Sequence, residues 1–230
     1  MFFAFIIQAR LGSKRFPNKI LKKINEKTVL EHAISRVKNV EFKNRIIIAT
    51  TDKKRDKEII KIAKKNNCLF YAGSENNVLE RFYKTAKKFK LKNLIRVSAD
   101  SPFIDPRIIE KAHKIYKNSK YDYVSNIINP SYPKGMSVEF FNFKSIEMAY
   151  NLAISKFDKE HVTSFIYKRP DIFRLKNFKL KKSYRKYRFT VDYKNDLILC
   201  QKIYKKICEL KINDVFSMKN LISLVNNKSY

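Results

Sequence analysis

A group of positively charged residues near the start of the chain has the composition of a polyphosphate-binding loop. Residues 8–19 follow an apolar segment and contain four cations, one glycine and one serine. In such a loop, backbone N–H groups can donate hydrogen bonds to phosphate oxygens while Arg and Lys neutralise the charge. The order of residues in this loop matches neither the P-loop motif nor the Gly-x-Gly-x-x-Gly motif. A solvated basic loop is the alternative. The segment reads Gln8-Ala9-Arg10-Leu11-Gly12-Ser13-Lys14-Arg15-Phe16-Pro17-Asn18-Lys19.

Two aspartates that follow predicted strands are candidates for binding a metal ion. Asp100 ends the segment 94–100, and Asp192 ends the segment 189–192. Mg²⁺ is a hard cation that proteins hold through one or two carboxylates together with substrate phosphates. A third aspartate, Asp105, precedes Pro106 and is better explained as a helix N-cap. We therefore expect Mg²⁺ as a cofactor, with Asp100 as one ligand and Asp192 as the candidate second ligand.

A turn followed by a short apolar segment carries polar groups that could contact a second substrate. The segment reads Tyr132-Pro133-Lys134-Gly135-Met136-Ser137-Val138-Glu139. We find no combination of nucleophile, base and orienting carboxylate that would indicate a covalent intermediate.

These segments must be positioned by strands and helices that alternate along the chain. Five alternations with short connections predict an α/β fold, with a mostly parallel twisted sheet and helices on both faces. Ligands of such sheets bind at the carboxyl ends of the strands. We expect one domain over residues 1–230, with Thr51-Asp52 capping the second helix. The predicted strands are 2–8, 45–50, 68–71, 94–98, 121–125, 138–141, 173–178 and 189–191. The predicted helices are 29–37, 59–63, 77–89, 106–112, 144–153, 160–167 and a tail from 196.

The composition bears on the partners of the protein. The formal net charge is +30 and the pI about 10.0, which is typical of nucleic-acid-binding proteins. The lysines are spread along the whole chain, however, which indicates a general compositional bias and disfavours a nucleic-acid partner. No run of eighteen apolar residues predicts a membrane span. Three cysteines without metal-ligand spacing predict reduced, buried thiols and a cytoplasmic protein.

Seven blocks of the chain, in order, resemble the acylneuraminate and 3-deoxy-manno-octulosonate cytidylyltransferases, and most of all their relatives of the spore-coat polysaccharide biosynthesis type. The three glycines of the chain all lie within these blocks. The blocks are Gln8 to Lys19, Ala49 to Asp52, Gly73 to Tyr83, Arg96 to Pro106, Tyr123 to Asn126 with Tyr132 to Gly135, Glu160 to Thr163, and Arg188 to Asp192.

The resemblance implies a Rossmann-like nucleotidyltransferase fold and a function. A protein of this kind would use CTP and Mg²⁺ to form a CMP-sugar, from an acidic or nonulosonic sugar, for a surface polysaccharide. It would form a homodimer, with acceptor and dimerisation elements within residues 130–170. Arg10 and Lys19 would be catalytic, and Asp100 and Asp192 would hold the metal ion. The implied nucleotide-binding residues are Gln8, Ala9, Arg10, Gly12, Ser13, Lys14, Arg15, Lys19, Gly73, Ser74 and Arg81. The implied acceptor-binding residues are Tyr132, Lys134, Glu139 and His161.

The chain departs from its relatives at a few positions, and two other functions stay open. Asn18 stands where many relatives have glycine, Ala99 and Ser101 flank Asp100 where the nearer relatives often show Gly and Cys, and Ser137 replaces an aspartate. One alternative is a nucleotidyltransferase that uses another NTP or a sugar or polyol phosphate. The other is a basic RNA-binding protein, although no RNP-like strand or Gly-x-x-Gly clamp is present.

Overall fold

Strands form where β-branched and apolar residues follow one another, and helices form where apolar residues recur at helical spacing. The computed structural model describes residues 2–210 and 216–227. The strands are β1 (Phe3–Gln8), β2 (Lys23–Ile24), β3 (Lys27–Thr28), β4 (Asn44–Thr51), β5 (Leu69–Gly73), β6 (Asn93–Ser98), β7 (Tyr123–Ser125), β8 (Glu139–Asn142) and β9 (Leu175–Asn177). The α-helices are α1 (Val29–Lys38), α2 (Lys57–Lys65), α3 (Val78–Lys88), α4 (Pro106–Lys117), α5 (Phe143–Leu152), α6 (Lys156–Glu160), α7 (Ser164–Tyr167), α8 (Lys194–Leu210) and α9 (Met218–Asn226).

The main sheet has seven strands in the order β5-β4-β1-β6-β8-β7-β9. Strands β5, β4, β1 and β6 are parallel, whereas β8 is antiparallel to both of its neighbours and β9 is parallel to β7. The chain moves outward from β1 to β5 and then returns to place β6 on the other side of β1. The strand order therefore reverses between β1 and β6, and ligands bind at such a switch point in α/β sheets.

Both faces of the sheet are covered by helices, as predicted. Successive residues of β1 point to opposite faces, so that Phe5 belongs to one buried cluster and Ile6 to another. The first cluster includes Leu30 of α1 and Ile109 of α4, and the second includes Phe82 of α3. A central strand buried on both faces is held in register by its neighbours. The ends of β1 and β6 are therefore fixed positions for a site.

Polar side chains set the starts of the helices that flank this edge. Asn77 accepts a hydrogen bond from the backbone N–H of Glu80 at the start of α3. Asp105 accepts one from the N–H of Arg107, with Pro106 at the first position of α4. The predicted N-cap role of Asp105 is confirmed.

One predicted helix cap and two predicted elements are wrong. Helix α2 begins at Lys57 instead of after Thr51-Asp52, because Thr51 Oγ1 donates a hydrogen bond to buried Asp56. The predicted helix 160–167 is interrupted at Val162, which has φ of +54° between α6 and α7. The segment 189–191 forms no strand, because its N–H groups bond to two different loops, Phe189 to Lys134 and Val191 to Asp100.

The exposure of the cysteine thiols and the hydropathy of the helices are two further features of the structure. Cys68 and Cys200 are buried free thiols, as predicted, whereas Cys208 is exposed. Among the described residues, none of the helices combines the length and the hydropathy needed to cross a membrane.

Candidate active site

A cleft of about 550 Å³ opens at the carboxyl ends of β1 and β6, where the strand order reverses. Its lining includes ten of the residues selected from the sequence as nucleotide or metal ligands. These are Gln8, Ala9, Arg10, Gly12, Ser13, Lys14, Arg15, Lys19, Asp100 and Asp192. The cleft is also lined by Ile20, Glu75, Asn76, Ser98, Ala99 and Glu160.

The basic loop that follows β1 is held in place by hydrogen bonds to its backbone. The N–H of Leu11 donates to Asp56 Oδ1 at 2.8 Å, and Asp56 is fully buried. The N–H of Asn18 donates to the carbonyl of Leu11 at 3.3 Å, which closes the loop. Asn18 has φ of +56°, a left-handed conformation that asparagine adopts more readily than most residues. Asparagine is therefore a residue type that suits this turn.

The floor of the cleft is a charge cluster centred on Lys19. Its Nζ lies 2.6 Å from Asp100 Oδ2 and 2.8 Å from Asp192 Oδ1. Arg15 and Arg188 also contact Asp192, at 2.7 and 2.6 Å. Burial raises the pKa of the Asp192 carboxyl, but Lys19, together with Arg15 and Arg188, outweighs that effect, so the pKa lies below its ordinary value. Asp192 is therefore anionic at neutral pH, and the carboxylates of both aspartates converge on Lys19 Nζ.

Each aspartate is oriented by polar neighbours. Ser98 Oγ donates to Asp100 Oδ1 at 2.6 Å, and the carbonyl of Asp100 accepts from Thr190 Oγ1 at 3.1 Å. Asp196, in the first turn of α8, accepts from the N–H of Asp192 at 2.8 Å and from Arg188 Nε at 2.7 Å. The two segments that carry the aspartates are thereby tied together and to α8.

A second pocket of about 350 Å³ shares its wall with the first through Arg15, Ser98, Asp100 and Asp192. Its remaining lining consists of polar and small groups together with Ile127. These residues are Arg96, Ser101, Ile127, Gly135, Ser137, Glu139 and Thr190. Two ligands bound in the two pockets would meet at the charge cluster.

The residues expected near the acceptor are only partly brought together. Glu139 lines the second pocket, whereas Tyr132, Lys134 and His161 line neither pocket. Tyr132 is buried against Phe178, with ring centroids 5.6 Å apart. Lys134 and His161 are exposed, and the His161 ring packs on Phe157 at 4.2 Å.

The remaining nucleotide-binding candidates surround the loop after β5. Gly73 and Ser74 line an adjoining pocket with Glu75 and Asn76, which also border the main cleft. Arg81 is 1% exposed and donates from Nη1 to the carbonyl of Ser74. Burial, and then the charge of Arg10, lowers the pKa of Arg81 to about 10. Arg81 thus binds the backbone of this loop from the protein interior and does not line the cleft.

Comparison with known proteins identifies the family. A family model described as cytidylyltransferase matches residues 4–222 of the chain. The chain belongs to the cytidylyltransferase family. Two relatives match over nearly the whole length. An uncharacterized protein of Methanocaldococcus jannaschii is 33% identical over 98% of this chain and 96% of its own. The spore coat polysaccharide biosynthesis protein SpsF of Bacillus subtilis is 32% identical over 96% of this chain and 93% of its own.

Other cytidylyltransferases match part of the sequence or the fold alone. The 3-deoxy-manno-octulosonate cytidylyltransferase of Rickettsia canadensis is 30% identical over 54% of this chain and 52% of its own. The structure of a cytidylyltransferase from Leptospira borgpetersenii has a TM-score of 0.88 at 24% identity, covering 99% of this chain and 94% of its own. The predicted family, nucleotidyltransferase fold and enzyme class are therefore confirmed.

Several polar residues of this cytidylyltransferase site were not selected from the sequence as ligands. Ser98 is the last residue of β6, and Glu75 and Asn76 come shortly after β5. A position at the carboxyl end of a parallel strand is a sequence signal that could have identified them. Asp56 supports the site through the backbone N–H of Leu11, 45 residues away, and no spacing rule in the sequence predicts that contact. Asp196 accepts from the N–H of Asp192, which lies only four residues before it.

Proposed function

We propose that this cytidylyltransferase transfers CMP from CTP to a hydroxyl group of a sugar and releases pyrophosphate. The observation that carries the proposal is the convergence of Lys19, Asp100 and Asp192 at the junction of the two pockets, with Lys19 within 2.8 Å of both carboxylates. The basic loop would hold the triphosphate in the main cleft, and the sugar would occupy the second pocket. The acceptor oxygen would then approach the α-phosphorus at the junction.

The reaction needs positioning and charge neutralisation and no covalent enzyme intermediate. The sugar hydroxyl oxygen forms a bond to the α-phosphorus, and the bond from this phosphorus to the oxygen that bridges to the β-phosphorus breaks. The electron pair leaves with pyrophosphate, and the hydroxyl proton passes to water. Arg10, Arg15 and Lys19 neutralise charge that grows on the leaving phosphates, as cations do in phosphoryl transfer generally.

The donor set at the junction fits Mg²⁺. No group of three or more Asp, Glu, His or Cys side chains around a single point occurs among residues 2–210 and 216–227. Two converging carboxylates match the one or two that Mg²⁺ takes when substrate phosphates complete its shell. Asp100 and Asp192 would hold the ion, and Lys19 would shift toward the phosphates. Bound Mg²⁺ would neutralise phosphate oxygens and polarise the α-phosphorus.

The sugar class is proposed from the relatives. The relative SpsF is named for spore coat polysaccharide biosynthesis, and other relatives are named for 3-deoxy-manno-octulosonate, an acidic sugar. We therefore propose an acidic sugar destined for a surface polysaccharide, and a cytoplasmic location where CTP is available. Selective stabilisation by a different NTP would favour the alternative nucleotide, and pyrophosphate release with a sugar phosphate but not with an acidic sugar would favour a phosphorylated acceptor.

The test is thermal stabilisation by each of the four NTPs with and without Mg²⁺, beside a short RNA, followed by pyrophosphate release with acidic sugars. A ligand that binds only the native state raises the melting temperature by mass action. We expect CTP alone among the four NTPs to raise the melting temperature, and Mg²⁺ to increase this rise. Asp100→Asn should abolish the rise, whereas Asp171→Asn, at an exposed aspartate, should retain it. A response to RNA alone, lost at high salt, would overturn the proposal.

A further inference from the structure

Gln8, the last residue of β1, lines the main cleft. Hydrogen bonds connect its side chain to Arg96 and Glu139, which line the second pocket. Arg96 Nε donates to Gln8 Oε1 at 3.1 Å. Arg96 Nη1 donates to Glu139 Oε1 at 2.6 Å. Arg96 and Glu139 face each other across the antiparallel strands β6 and β8, so the sheet register itself places them together.

Glu139 is buried, and both of its carboxylate oxygens accept hydrogen bonds. Its side chain is 5% exposed, and its second oxygen accepts hydrogen bonds from Tyr123 OH at 2.6 Å and from Thr163 Oγ1. Burial, and then the charge of Glu139, raises the pKa of Tyr123 well above its ordinary value, so this hydroxyl stays protonated as a donor. Thr163 is carried there by the turn at Val162, a buried β-branched residue at φ of +54°. Such backbone conformations persist where the surrounding structure enforces them.

This arrangement fixes which way the Gln8 amide faces. A guanidinium group can only donate hydrogen bonds, so the atom of Gln8 beside Arg96 must be the oxygen. The NH₂ group is then the part of the amide left for another partner. No hydrogen bond from it to protein atoms is found within the described residues 2–210 and 216–227, although the side chain lines the cleft. Cross-strand register places Gln8 beside Ser98, which orients Asp100.

We infer that Gln8 donates a hydrogen bond from its amide NH₂ to an oxygen of the α-phosphate, and that Arg96 and Glu139 are positioning residues that lock the amide in this orientation. The inference rests on the proposed function, because it takes CTP as the occupant of the main cleft. Gln8 belongs to the strand end at which the basic loop begins, on the side of the cleft that holds Asp100. The α-phosphate is the phosphate that must reach this side, because it is the one attacked from the second pocket.

The experiment compares the binding of cytidine, CMP and MgCTP by isothermal titration calorimetry. Gln8→Glu keeps the size of the side chain but replaces the NH₂ donor with an anionic oxygen. We expect CMP and MgCTP to bind about 10- to 100-fold more weakly, because a hydrogen bond to a charged group contributes about that much to the affinity. The affinity for cytidine, which has no phosphate, should change less than about 2-fold. Gln201→Ala changes the other glutamine of the chain, on the surface of α8, and is expected to bind all three ligands as the wild type does.

A double-mutant cycle tests the positioning role. Arg96→Lys cannot reproduce the two directed N–H donors, so the amide can rotate, and we expect about 5-fold weaker CMP binding. In the Gln8→Ala background, the same change should have no further effect on CMP, because it acts only through Gln8. Equal losses in both backgrounds, or a Gln8→Glu variant that binds CMP as the wild type does, would overturn the inference. A wild type that binds no CTP would instead overturn the proposed function.

Discussion

Lys19 joins two carboxylates that lie 81 and 173 residues further along the chain. Its side chain is only 11% exposed, so the charges in this cluster are weakly screened by solvent. Arg15 and Arg188 add positive charge at Asp192. Cations and anions alternate in this cluster, so that neighbouring charges attract one another. A triphosphate would replace the carboxylates as the partner of the cations.

The depressed pKa of Asp192 predicts how this cluster responds to acid. A carboxyl whose pKa is lowered in the folded state stabilises that state above its unfolded pKa of about 3.9, and the contribution is lost as the pH falls through the folded value. Lys19→Met removes one cause of the lowering. We therefore expect a shallower fall of melting temperature between about pH 5 and pH 2 in this variant. Lys22→Met, at an exposed neighbouring lysine, should keep the wild-type slope. Equal slopes in all three proteins would contradict this account.

At the scale of the elements, the basic loop is held by Asp56, which is buried after β4. Asp56→Asn turns one carboxylate oxygen into a donor, so it can keep only one of the bonds from Leu11 N–H and Thr51 Oγ1. We expect a loss of about 1–3 kcal/mol in the free energy of unfolding, measured by urea denaturation. The freed loop should also bind CTP more weakly. Asp171→Asn is the matched surface control, and a fully stable Asp56→Asn would argue against the anchor.

The turn at Gly135 packs the second pocket against the segment that leads to Asp192. Gly135 has φ of +95°, and a Cβ there would lie 2.6 Å from the backbone carbonyl of Phe189. Gly135→Ala should therefore cost more than about 3 kcal/mol of unfolding free energy, because neither the strain nor the backbone contact can relax cheaply. Gly12→Ala is the control, since its Cβ would meet only the ends of the Arg55 and Glu75 side chains. We expect it to cost about 1 kcal/mol or less. Similar losses in urea denaturation would contradict the distinction.

The same elements show how far the sequence predicts the molecule. The strands β1, β4 and β6 and the helix starts at Asn77 and Asp105 follow from local patterns of apolar and capping residues. The residues that line the main cleft can also be predicted from the sequence, because the carboxyl ends of parallel strands meet at one edge of the sheet. The antiparallel β8 and the missing strand at 189–191 depend on contacts between distant loops, which no local pattern contains.

At the scale of the whole molecule, a net charge of +30 makes copies of the chain repel one another. Any association between copies must therefore use a surface where apolar contact outweighs this repulsion. Four exposed apolar residues lie close together in sequence around the end of α5, within the segment predicted to contain dimerisation elements. They are Met148, Leu152, Ile154 and Phe157, of which Ile154 is 89% exposed. Where exposed apolar side chains form a contiguous patch, they mark a site of protein association.

We predict that the protein forms a homodimer through these four residues and that the dimer becomes more stable as salt is added. Salt screens the repulsion between two positively charged copies while apolar contact persists, so the dissociation constant should fall as NaCl rises from about 50 to 500 mM. Sedimentation equilibrium measures this directly. Ile154→Glu should shift the protein to monomer at every salt concentration, whereas Ile172→Glu, at another exposed isoleucine outside the group, should not. Binding to RNA would show the opposite dependence, because each phosphate contact releases counterions. A monomer at all concentrations of salt, or a dimer insensitive to Ile154→Glu, would rule out this interface.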